Sequence, residues 1–111
     1  MRTITKVFAG LSGTTEATAL DLKVQEHGRQ TWEFYSDNSS ANIRIRLKSI
    51  FTDDTGTEVA IPTIQTIDLT DETLTIVNFN MKLSHVRCTY DDDGTGAMAG
   101  DLHIKATTAK G

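Results

Sequence analysis

The residues best suited to chemistry are three consecutive aspartates, Asp91 to Asp93, followed by Gly94. Ca²⁺ prefers several carboxylate oxygens on a flexible loop, so this cluster could bind calcium. The spaced carboxylates and the distal bidentate glutamate of an EF-hand loop are missing, however. A solvated hairpin turn is the preferred interpretation, and we assign no metal ligand.

Other motifs for catalysis or cofactor binding are weaker. Gly94-Thr95-Gly96 is too short for a phosphate-binding loop and lacks its lysine and helix. Ser12 and Ser84 lack the context of a nucleophile elbow, although a Ser-His-Asp triad can assemble from distant segments. None of the three histidines belongs to a zinc motif; they are His27, His85 and His103. We therefore expect no enzymatic activity, no catalytic residue and no cofactor.

Composition limits the class of protein. The 111 residues suffice for one domain with its own core, so we treat residues 1–111 as a single domain. A net charge of -4 disfavours nucleic acid as a partner, and a mean hydropathy of -0.28 disfavours a membrane span. The start of the chain shows no apolar secretory signal, which favours synthesis in the cytoplasm. The single cysteine, Cys88, is predicted to be a buried, reduced thiol.

Apolar and polar residues alternate along much of the chain. The clearest case is 43–48, where three aliphatic residues alternate with Arg44, Arg46 and Lys48. Eighteen threonines add to the preference for strands. Seven to nine such segments, separated by turn residues, predict an all-β fold: a single antiparallel β-sandwich, either jelly-roll-like or Ig-like.

Several local details follow from these patterns. The turn residues 36–40 predict a hairpin between the strand containing Trp32 and the strand 43–48. Leu20, Leu22 and Val24 are predicted to face the core, as are Trp32 and Phe34. Leu74 and Ile76 are also predicted to face inward, and Pro62 indicates an edge strand, a bulge or a loop. If the last two strands pair, His85 or Arg87 would approach His103 or Lys105.

Arg44, Arg46 and Lys48 form a basic row on one strand face, and Arg87 and Lys105 could extend it. One interpretation is an ordinary solvated face. The other is an interface with an acidic surface on a second copy, supplied by Asp53, Asp54 and the Asp91 to Asp93 turn. Tyr35, if exposed, could belong to the same interface or to a sugar platform.

The layout resembles small β-sandwich virion proteins of tailed bacteriophages. The resemblance rests on the opening strand 2–5, the segments 17–22, 28–34 and 43–47, the segment 85–90, the Gly94-Thr95-Gly96 turn and the closing strand 101–106. In that family, a valine-arginine step, a Thr-Gly turn and a last alternating strand follow one another. The chain lacks the Asp-Gly-Xaa-Xaa-Trp turn associated with many members, since Asp53-Asp54-Thr55-Gly56 occupies that region.

The resemblance implies a non-enzymatic structural protein located in the virion, either a capsid decoration protein or a neck or tail component. Its partners would be other virion proteins and copies of itself, with no nucleic acid and no membrane. The terminal segments Met1 to Thr5 and Thr107 to Gly111, as possible extended arms, would be the first candidates for attachment. The alternative is a carbohydrate-binding β-sandwich module using Trp32, Tyr35 or Tyr90.

Overall fold

The structure, a computed structural model, describes residues 2–23, 28–79 and 85–110. These residues form ten strands: β1 (Arg2–Phe8), β2 (Ala17–Lys23), β3 (Gly28–Ser36), β4 (Ile43–Ser49), β5 (Phe51–Thr52), β6 (Glu58–Ala60), β7 (Thr63–Asp68), β8 (Thr75–Phe79), β9 (His85–Asp92) and β10 (Leu102–Lys110). Within the described ranges, no helix is long and apolar enough to cross a membrane.

Eight of the strands build two four-stranded antiparallel sheets. Sheet A has the strand order β1-β10-β3-β8, and sheet B has the order β2-β9-β4-β7. From β1 to β4 and again from β7 to β10, successive strands alternate between the sheets, which is the connectivity of a jelly roll. The prediction of an all-β sandwich is confirmed. The short pair β5–β6 adds a third, two-stranded sheet between β4 and β7.

The core lies between the two sheets. Trp32 and Phe34 from sheet A and Ile43, Ile45 and Leu47 from sheet B are fully buried, as the alternation predicts. The rings of Trp32 and Phe34 stack with centroids 6.2 Å apart. The Cys88 thiol is free and buried in the same core, and this burial raises its pKa. Leu20 and Leu22 also face the core, while Val24 lies outside the described residues.

Two predicted strand pairings are wrong. β3 and β4 lie in different sheets, so residues 37–42 connect the two layers and do not close a hairpin. The last two strands, β9 and β10, are also in different sheets. Arg87 and His85 therefore lie on sheet B, whereas His103 and Lys105 lie on sheet A. Turn residues show where the chain reverses, but they do not specify which sheet the next strand joins.

The predicted inward face of β8 is also wrong. Leu74 and Ile76 are 53% and 54% exposed, whereas Val77 and Phe79 pack against the core. The register explains the difference, because Val77 lies opposite the buried Trp32 and Ile76 lies opposite Glu33. Since side chains alternate along a strand, placing Val77 over the core turns Ile76 outward.

Pro62 lies between β6 and the edge strand β7, in agreement with its predicted position at an edge or irregularity. Its carbonyl accepts a hydrogen bond from the Ser49 amide at 3.0 Å. The described parts of both predicted arms lie in paired strands. Thr3 pairs with Thr107 in the register of β1 with β10, which leaves β1 at one edge of sheet A.

Candidate functional site

The basic row on β4 lies on the outer face of sheet B, because its residues alternate with buried aliphatic residues. Each base pairs with an acidic residue of the same chain. Arg44 donates two hydrogen bonds to Asp68, at 2.6 and 3.2 Å, and Arg46 donates one to Asp91 at 2.6 Å.

Lys48 continues this row of ion pairs. It donates a hydrogen bond to Glu16 at 2.8 Å, and the Thr89 hydroxyl donates to the same carboxylate oxygen at 2.6 Å. The hydrogen bonds from Lys48 and Thr89 lower the pKa of Glu16. The positive charges of the basic row are therefore balanced by acidic residues of the same chain. Asp91, which the sequence analysis assigned to an interface with a second copy, is one of these partners.

Arg87 connects three elements on the same face. Its guanidinium donates two hydrogen bonds to Asp21 on β2, at 2.7 and 3.2 Å. It donates two more to Glu58 on β6, at 3.0 and 2.8 Å. These contacts lower the pKa values of both carboxyl groups, and they tie the β5–β6 hairpin to the outer face of sheet B.

The aspartate turn is also engaged internally. The Asp93 carboxylate accepts hydrogen bonds from the Thr95 amide at 3.0 Å and from the Thr95 hydroxyl at 2.5 Å, which lowers its pKa. Among residues 2–23, 28–79 and 85–110, no group of three or more His, Cys, Asp or Glu residues could hold a metal ion.

The described histidines pair with single carboxylates. His103 Nε2 lies 3.1 Å from Asp37 Oδ2, and this contact lowers the pKa of Asp37. His85 Nε2 lies 3.5 Å from Asp21 Oδ1. Ser12 is exposed on a loop, whereas His27 and Ser84 lie outside the described residues.

The remaining predicted interface residues, Tyr35 and Lys105, lie on the opposite face of the sandwich. Here the outer face of sheet A contains a shallow groove of about 220 Å³, which we call the outer groove. Its lining includes Thr5, Glu33, Tyr35, Leu74, His103 and Lys105. The structure therefore divides the predicted interface between two faces: four ion-paired bases on sheet B, and Tyr35 with Lys105 on sheet A.

Exposed apolar side chains surround the outer groove. Leu74 lines it, Ile76 lies opposite Glu33, and Val7, which is 55% exposed, lies opposite His103. Sequence reasoning missed this surface because it placed Leu74 and Ile76 in the core. The sequence did contain a sign of the correct orientation: Val77 and Phe79, on the other face of the same strand, are also apolar.

A second exposed apolar group lies on the β5–β6 hairpin. Phe51, Val59 and Ile61 are 64%, 55% and 43% exposed, and we call them the hairpin cluster. The Asp53 carboxylate accepts hydrogen bonds from the amides of Thr55 and Thr57, both at 2.9 Å, which fixes the turn.

Comparisons with known proteins identify the fold. No family model and no curated protein matches the sequence. Among solved structures, the SPBc2 prophage-derived protein YomS is 15% identical with a TM-score of 0.56, covering 97% of this chain and 95% of YomS. A protein of the disulfide-linked pili of Bacillus endospore appendages is 10% identical with a TM-score of 0.54, covering 99% of this chain and 87% of its own.

VP2 of infectious bursal disease virus, in a subviral particle, is 15% identical with a TM-score of 0.51. The match covers 99% of this chain and 33% of VP2, so the chain spans about a third of that capsid protein. The chain thus shares its all-β fold with a prophage protein, an appendage protein and a viral capsid protein. At these identities the likeness establishes the fold alone.

Proposed function

We propose that this protein is a non-enzymatic structural subunit of a virus particle that binds copies of itself or other virion proteins. Within the particle it serves as a capsid decoration protein or as a neck or tail component. The likeness in fold to a prophage protein and to a viral capsid protein supports this assignment.

The observation that carries the proposal is the contrast between the two outer faces. On sheet B, the bases on β4 and Arg87 have acidic partners in their own chain. On sheet A, Leu74, Ile76 and Val7 expose apolar surface around Tyr35. Exposed apolar side chains among polar ones are typical of protein interfaces, so we assign docking to this face of sheet A.

Protein composition of purified particles tests this function. We expect mass spectrometry to find the chain in particles at a fixed ratio to the major shell protein. A ratio near that of the shell protein supports decoration, and about six or twelve copies per particle support a ring in the neck or tail. Absence from particles would reject the proposal.

A carbohydrate-binding module is the second candidate, favoured by the position of Tyr35 in the outer groove beside Glu33 and His103. Aromatic rings next to hydrogen-bonding groups are suited to sugar rings. Trp32 is fully buried and offers no such platform. A glycan array with wild type, Tyr35→Ala and the Tyr35→Phe control tests this candidate. Selective binding that only Tyr35→Ala abolishes supports the module, and absence of binding by the wild type rejects it.

A further inference from the structure

The hairpin cluster and the outer groove lie at opposite ends of the sandwich. β3 and β4 meet at the loop 37–42, so Tyr35 and Ile43 lie near the same end. β4 then runs to Ser49, and the hairpin begins at Phe51. Seven extended residues span about 20 Å, so the hairpin is at the far end from Tyr35.

The two surfaces also lie on different sides of the molecule. Glu58 ties the hairpin to Arg87 on the outer face of sheet B, whereas the groove is on the outer face of sheet A. Because they are separated both by the sandwich and along the strands, they cannot meet within one molecule.

The two surfaces match in size and in apolar character. The groove volume of about 220 Å³ exceeds the roughly 150 Å³ of a cavity that holds benzene, so it has room for the Phe51 ring. The hairpin turn presents Asp53 and Asp54, while the groove presents Lys105. Within the described part of the chain, Lys105 forms no ion pair, although Glu33, which also lines the groove, lies opposite it in the register of β10 with β3.

We infer that the β5–β6 hairpin of one copy docks in the outer groove of the next copy, with Phe51 packed against Tyr35 and Leu74. This inference rests on the proposed structural role and specifies its partner as a second copy of the chain. Because the contact joins two different surfaces, it is head-to-tail and repeats to form a ring or a filament.

Symmetric contacts fit the same surfaces less well. A hairpin-to-hairpin dimer would place the two Asp53-Asp54 turns close together, where like charges repel. It would also leave the apolar surface around Leu74 and Ile76 uncovered. A groove-to-groove dimer, in turn, would leave Phe51 uncovered. The head-to-tail contact covers both apolar surfaces and places the acidic turn near Lys105.

Sedimentation of the full chain measures the strength of the contact. We expect wild type to self-associate and Phe51→Ala to weaken self-association by at least about tenfold, as for a central aromatic anchor. Thr66→Ala is the matched control, since Thr66 is exposed on β7 outside both surfaces, and we expect it to leave self-association unchanged. A wild type that stays monomeric, or a Phe51→Ala variant that associates normally, overturns the inference.

Disulfide trapping tests the direction of the contact. Chains containing Val59→Cys and chains containing Leu74→Cys, distinguished by mass, are mixed and oxidised. The native Cys88 is buried and does not compete. We expect predominantly mixed disulfides, whereas a Val59→Cys and Thr66→Cys mixture should show no such enrichment. Predominance of either homodisulfide, or a random mixture, overturns the inference.

The two proposals fail in different ways. If the chain is present in purified particles but does not form this contact, the structural role stands and its partner is another virion protein. If the contact forms but the chain is absent from particles, the virion role fails and the self-assembly remains.

Discussion

Arg87 and Glu58 are joined by two hydrogen bonds of 3.0 and 2.8 Å, although 29 positions separate them in the chain. The same guanidinium also holds both oxygens of Asp21. One side chain thus fixes the β5–β6 hairpin on the sandwich while it links β9 to β2.

Arg87→Lys tests this connection. Lysine keeps the charge but cannot form two bidentate pairs, so we expect the free energy of unfolding to fall by about 1 kcal/mol in urea titrations. Glu58→Gln, by contrast, should speed hydrogen exchange at the hairpin amides with little change in global unfolding. Unaltered exchange in both variants would show that Arg87 does not restrain the hairpin.

Acid should destabilise the protein through carboxylates such as Glu16. Its hydrogen bonds from Lys48 and Thr89 lower its pKa below the ordinary value of 4.5, so the unfolded chain is protonated first as the pH falls. The contribution of Glu16 is fully present above the unfolded-state pKa and is lost as the pH falls through the folded-state pKa. Stability should therefore decline below about pH 5.

Urea unfolding at a series of pH values measures this loss. Glu16→Gln and Lys48→Met should both make the acid decline shallower, because each removes the ion pair that separates the two pKa values. The difference in the free energy of unfolding between wild type and Glu16→Gln should become smaller as the pH falls. If both variants retain the wild-type slope, Glu16 does not contribute to the acid response.

Two phenylalanines in different environments form a matched pair. Phe34 is fully buried against Trp32, so Phe34→Ala should lower the free energy of unfolding by about 3–5 kcal/mol. Phe51 is 64% exposed, and Phe51→Ala should change it by less than about 0.5 kcal/mol. The fluorescence of Trp32, the single tryptophan, reports both unfolding curves. Equal losses of unfolding free energy in the two variants would contradict the assignment of Phe34 to the core.

Alanine substitutions at Gly100 and Gly94 distinguish the cost of backbone strain from the cost of a steric clash. Both have positive φ, 78° and 87°, so alanine costs about 1–2 kcal/mol at either site. A Cβ at Gly100 would also lie 2.4 Å from Asn38 Cβ, whereas a Cβ at Gly94 meets nothing within 4 Å. Thermal unfolding should therefore show a larger loss for Gly100→Ala than for Gly94→Ala, and the reverse order would refute this geometry.

The alternation of residues was sufficient to predict the sandwich and much of its core. In the strand 43–48, aliphatic and basic residues occupy opposite phases, so only one orientation buries apolar surface. In 74–79 both phases contain apolar residues, and the pairing of Val77 with Trp32 decides between them. That pairing joins segments far apart in the chain, and a local pattern does not contain it.

The candidate site was only partly predictable for the same reason. Tyr35 and Lys105 were identified from residue type and strand phase, and both line the outer groove. The acidic partners of Arg44, Arg46 and Lys48 depend on strand order and on the loop containing Glu16, which alternation does not specify. The hairpin cluster was missed because β5 and β6 are too short to show a period.

The central position of β10 in sheet A determines when the outer groove can form. β10 lies between β1 and β3, and it supplies His103 and Lys105 to the outer groove. During translation, β1 and β3 are made long before β10 and cannot pair with it until it leaves the ribosome. Nascent chains therefore lack the outer groove, so the contact proposed above could form only on subunits in which β10 has left the ribosome.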